Sequence, residues 1–80
     1  MPTIFRQYGF RVMIYTSDHI PAHVHIYYGD ALLIVNLGES VEAIEIRDNF
    51  GMKRNDARRA IEICEENHAT FLQEWREIHP

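Results

Sequence analysis

The hydrophobic and polar positions change rhythm once along the chain, near Arg54. Before it the period is close to two. Phe10, Val12 and Ile14 alternate with Arg11, Met13 and Tyr15, which is the signature of a strand with one covered face. Thr3-Ile4-Phe5 forms a short strand ahead of it, and Tyr8-Gly9 allows the turn between them. His23 to Tyr28 is the next strand, with Val24, Ile26 and Tyr28 on one face and His23, His25 and Tyr27 on the other. Gly29-Asp30 supplies a hairpin turn. Ala31 to Leu37 is nearly all apolar and predicts a central strand buried on both sides. After the Gly38-Glu39-Ser40 turn, Val41 to Arg47 predicts a half-exposed last strand, and Asp48 to Gly51 breaks the pattern.

From Arg54 the apolar residues Ala57, Ala60, Ile61, Cys64, His68, Phe71, Leu72, Trp75 and Ile78 recur at helical spacing. They predict one long C-terminal helix, with a kink near Asn67. Its apolar stripe needs a cover, and the sheet is the available one. The expected fold is therefore α+β, an antiparallel sheet of four to five short strands with a long C-terminal helix packed across one face. Eighty residues suffice for a single domain, 1–80. The core of such a chain is thin, so a homodimer or a complex is expected.

Charge changes this picture little. The net charge of −4 speaks against a generally basic nucleic-acid binder, so RNA is permitted as a partner but not indicated. Lys53, Arg54, Arg58 and Arg59 form one basic cluster in an acidic background, most simply a solvated helix start. The single cysteine, Cys64, excludes an intramolecular disulfide. A lone thiol, no secretory signal and no long apolar run predict a cytoplasmic protein without a membrane anchor.

The candidate chemistry lies in Asp18-His19-Ile20-Pro21-Ala22-His23-Val24-His25. His23 and His25 share one strand face, and imidazoles titrate near neutral pH, so the two can act as a general acid and base. Arg6 and Arg11 are the matching candidates for holding a phosphate. Arg11 is expected on the same sheet face as the histidines. The plainer reading makes these residues strand and edge polar groups with no chemistry. The pair lacks the His-x-His-x-His pattern of histidine-triad hydrolases, because position 27 is Tyr. No metal site and no cofactor are expected. Only His23 and His25 have favourable ligand spacing, although Asp18 is nearby, and His19 would have to fold back across Pro21.

The start Met1-Pro2-Thr3-Ile4-Phe5-Arg6, then Tyr8-Gly9-Phe10-Arg11, then His19-x-Pro21-x-His23-Val24-His25, resembles domain-of-unknown-function family 4160. The Gly29-Asp30 turn, Glu65-Glu66-Asn67 and Glu74-Trp75 are similar to it too. The resemblance departs at Lys53-Arg54, where the family often has a Ser-Pro-type cap. It implies small, single-domain bacterial or phage-borne proteins, often encoded beside a small protein of family 2442 in a toxin–antitoxin-like arrangement. It carries over no catalytic residues. The resulting expectation is one component of a two-gene toxin–antitoxin-like module acting through a protein partner. Its enzymatic form is a small ribonuclease toxin using His23, His25, Arg6 and Arg11. The alternatives are a non-catalytic interaction module and a small metal-binding regulator.

Overall fold

The computed structural model describes residues 3–80. Met1 and Pro2, which open the family-like N-terminal stretch, lie outside the described residues. The chain forms β1 (Thr3–Gln7), β2 (Phe10–Met13), β3 (His23–Tyr28), β4 (Ala31–Asn36), a 3-10 turn (Val41–Ala43), β5 (Glu45–Phe50), α1 (Arg54–Glu66) and α2 (His68–Ile78). The strands make one antiparallel sheet in the order β1-β2-β3-β4-β5. Each strand pairs with its chain neighbour, as short turns favour.

One face of the sheet is the core face. Phe10, Val12, Val24, Ile26, Leu33 and Val35 point into it and are almost wholly excluded from solvent. The helices supply its cover through Ala60, Ile63, Cys64, Phe71 and Trp75. Phe71 meets Phe5 edge to face at 5.5 Å, which seats α2 against β1. Val24 and Ile26 are thus buried, and His25 and Tyr27 take the opposite face, as the period of two requires.

Three expectations need correction. The C-terminal segment is two helices and not one. Asn67 leaves the helical region at φ −120° and ψ 20°, and its side-chain amide donates to the Ile63 carbonyl at 2.8 Å, ending α1. β4 is buried on one side only, because Leu32 and Ile34 on the far face remain half-exposed. The last strand is shifted. Val41–Ala43 turns in a 3-10 helix, and β5 runs on through Asp48, Asn49 and Phe50. β5 is an edge strand exposed along its whole length, so burial imposes no alternation on it. A register shift opposite Ile34 and Val35 blurs the pattern further.

Among the described residues, no helix is long and apolar enough to cross a membrane.

Candidate functional site

The chemistry-bearing residues gather on the sheet face opposite the helices and at the end of the sheet, where His23 meets α2 beneath the connection from β2 to β3. The cross-strand register builds one row through all five strands: Arg6 beside Arg11, Arg11 beside Tyr27, Tyr27 beside Leu32, and Leu32 beside Phe50. Residues in register share a face, so this row is a continuous band about 19 Å long, at about 4.8 Å per strand. The Arg11 guanidinium carbon lies 5.2 Å from the centre of the Tyr27 ring, a cation–π contact. The row's far end is apolar, and Phe50 is 57% exposed.

The next row places Met13 beside His25, His25 beside Ile34 and Ile34 beside Asp48. Above it stands Tyr15, whose ring meets His25 edge to face at 4.9 Å. The Tyr15 hydroxyl donates to the Met13 sulfur at 3.2 Å and lies 3.0 Å from the Tyr27 hydroxyl. The bond with Tyr27, helped by burial, pushes the Tyr15 phenol up to about 12. It is a structural phenol and no nucleophile at neutral pH.

The connection from β2 to β3 brings Asp18 over the two histidines. A tight turn forms as Asp18 N–H donates to the Tyr15 carbonyl and Tyr15 N–H donates to Asp18 Oδ2, both at 3.0 Å. This fixes the carboxylate. Asp18 Oδ1 then lies 3.6 Å from His23 Nε2, and Asp18 Oδ2 lies 3.7 Å from His25 Nδ1. His23 donates through Nδ1 to the Pro21 carbonyl at 2.8 Å. Its ring packs 5.2 Å from the Trp75 indole, centre to centre, and only 3% of the residue is exposed.

Burial holds the His25 imidazole below its usual value. The Asp18 carboxylate pulls the other way, while His23 and Arg47 add to the lowering. Arg47, on β5, is thus the arginine that contributes to this lowering.

The fold therefore divides the sequence-derived site. His23 and His25 are adjacent, with ring centres 5.3 Å apart. Arg11 shares their face, as expected, but is turned onto Tyr27. Arg6 lies beyond it, on β1. His19 is exposed and takes no place in the cluster, whereas Asp18 does. His23 has both nitrogens directed inward, one to Pro21 and one to Asp18, so it supports the cluster and is not open to a substrate.

No curated protein and no solved structure matches the chain. The family model described as Domain of unknown function (DUF4160) matches residues 9–76, from the start of β2 to the last turns of α2. The match covers most of the chain and contains the Asp18–His23–His25 cluster, the second row and all of the first except Arg6, and the chain belongs to this family.

Proposed function

We propose that this chain is a protein-interaction module, one half of a two-component, toxin–antitoxin-like pair, and that it binds its small protein partner on the open sheet face. The observation that carries the reading is the row Arg6, Arg11, Tyr27, Leu32 and Phe50. It joins two guanidinium groups to a tyrosine, a leucine and an exposed phenylalanine on one rigid surface. Arginine and aromatic side chains are enriched in the residues that dominate protein–protein binding. A β-sheet holds them in fixed register, so little order has to be gained on docking. The complementary surface is acidic opposite Arg6 and Arg11 and apolar opposite Leu32 and Phe50.

The ribonuclease form has weaker support. It needs two imidazoles that can reach the sugar and leaving group, and His23 is turned away from solvent. The guanidinium groups of the row are compatible with phosphate, but Arg11 is engaged with Tyr27.

The test is calorimetry with the purified product of the neighbouring gene, beside an RNA-cleavage assay of the isolated chain. Arg11→Glu and Phe50→Asp are expected to weaken binding by about tenfold or more, with His25→Ala near the wild type. Unchanged binding in both row variants would sink the docking surface. RNA cleavage by the wild type, lost in His25→Ala, would replace this reading by the nuclease.

A further inference from the structure

The Asp18–His23–His25 cluster has an unusual donor and acceptor balance. A carbonyl oxygen can only accept, so the contact from His23 to the Pro21 carbonyl fixes a proton on Nδ1. His23 Nε2 in a neutral ring is then a bare lone pair, and it faces the Asp18 carboxylate. His25 Nδ1 is buried and has no hydrogen-bond partner, and it too faces that carboxylate. The three ligand atoms lie within 4.8 Å of one another. Three groups able to donate an electron pair thus converge on one point, with no hydrogen between His23 and Asp18 and none between His25 and Asp18 when the neutral His25 ring carries its proton on Nε2. A cation at that point turns the repulsion into coordination.

We propose that Asp18, His23 and His25 bind one divalent transition-metal ion of the zinc class, through a carboxylate oxygen of Asp18, Nε2 of His23 and Nδ1 of His25. Zinc bonds to imidazole nitrogen and carboxylate oxygen at roughly 2.0–2.2 Å, so tetrahedral ligands stand roughly 3.4 Å apart. Asp18 Oδ1 stands 3.6 Å from His23 Nε2 and Oδ2 stands 3.7 Å from His25 Nδ1, and with one atom taken from each residue the three lie within 4.8 Å, so a modest closure brings them to that spacing. The orienting bond from His23 Nδ1–H to a backbone carbonyl is the arrangement that metal-ligating histidines commonly show, with the far nitrogen presented to the ion. Two nitrogens and one oxygen suit zinc and its neighbours better than calcium or magnesium. The bound ion cross-links the connection between β2 and β3 to the strand it precedes. Three protein ligands leave one position of a tetrahedral ion open.

None of the three ligands belongs to the partner-binding row, so the site is tested on the isolated chain. Metal-free protein, prepared with a chelator, is titrated with Zn²⁺ by calorimetry, and with Co²⁺ followed by visible absorption. The expected result is one equivalent per chain, a cobalt spectrum of low coordination number and a Tm that rises with zinc concentration. Asp18→Asn and His25→Ala are each expected to weaken zinc binding by at least about tenfold. His19→Ala, an exposed neighbour outside the cluster, is expected to bind as the wild type does. Circular dichroism of each metal-free variant separates a lost ligand from a lost fold, and Asp18→Asn is nearly isosteric. No saturable binding in the wild type, or full binding in folded Asp18→Asn and His25→Ala, overturns the proposal. Loss in His19→Ala alone assigns the ion to the exposed turn and overturns it equally.

Discussion

His23 Nε2 faces the Asp18 carboxylate at 3.6 Å with no hydrogen to share in its neutral form, because its one N–H is donated to the Pro21 carbonyl. The same carboxylate stands 3.7 Å from the unpartnered His25 Nδ1. This arrangement predicts an unusual response to Asp18→Asn. The amide can keep its oxygen on the Tyr15 N–H and turn its NH₂ toward an imidazole nitrogen. In metal-free protein at pH 7.5 the variant is expected to be as stable as the wild type, or more stable by about 1 kcal/mol. Were the cluster held by a charged imidazole paired with Asp18, the same change would destabilise. Urea unfolding in the presence of a chelator decides between the two.

The two sheet faces predict opposite sensitivities. Ile26 is fully excluded from solvent among the core residues, and its truncation leaves a cavity the sheet cannot close. Ile26→Ala is expected to cost roughly 2–5 kcal/mol. Phe50, on the other face, is 57% exposed, and Phe50→Ala is expected to change stability by less than about 1 kcal/mol. The comparison by denaturant unfolding checks the register directly. A one-residue slip would put His25 in the core and exchange the two outcomes.

Such differences also mark how far the sequence could be read. Alternation identified β2 and β3 and their inward faces, because one side of each is buried and the other is not. It placed His25 opposite Val24 and Ile26 for the same reason. It misplaced β5, since an edge strand with every residue exposed carries no burial signal. It read β4 as covered on both sides, because Leu32 and Ile34 are as apolar as Leu33 and Val35 although they face outward. Leu32, on that outward face, belongs to the row proposed above as the docking surface. Asp18 was visible as a neighbour of the histidines, but its place above both of them depends on the Tyr15 turn, which spacing alone does not specify. Ile63, buried on α1, lies outside the helical stripe drawn from the sequence.

A buried histidine on α2 joins the helix to the sheet. His68 Nε2 lies 2.9 Å from the Leu37 carbonyl and 3.2 Å from that of Gly38, so it carries the hydrogen and donates to both. His68→Ala removes this donor and buried volume together, at an expected cost of roughly 2 kcal/mol. Gly38 itself adopts φ +66°, and a Cβ there would run into the Ala43 side chain. Gly38→Ala is therefore expected to cost about 2 kcal/mol or more, from backbone strain and overlap together. Thermal unfolding of the two variants measures both effects. A neutral result for Gly38→Ala would mean that the turn can move away from the 3-10 segment.

Cys64 gives a prediction about alkaline pH. Burial among Ala60, Ile63 and Phe71, with a smaller effect from Glu65, pushes its thiol from 9.0 up to about 12. The unfolded chain therefore loses this proton at lower pH than the folded one. Between those values the unfolded state binds fewer protons, and stability falls as pH rises. The contribution is fully present below pH 9.0 and is lost as pH climbs through about 12, by an amount on the order of a few kcal/mol. The Tyr15 phenol, raised from 10.0 to about 12, acts with the same sign. Urea unfolding at pH 8 and at pH 10.5 is expected to show a clear loss in the wild type. Cys64→Ala should start lower, through a small cavity, and lose less over the same interval. A thiol reagent added to folded protein at pH 8 should react slowly, at a rate that follows unfolding. Fast modification under native conditions would place Cys64 at the surface and remove the basis for the pH dependence.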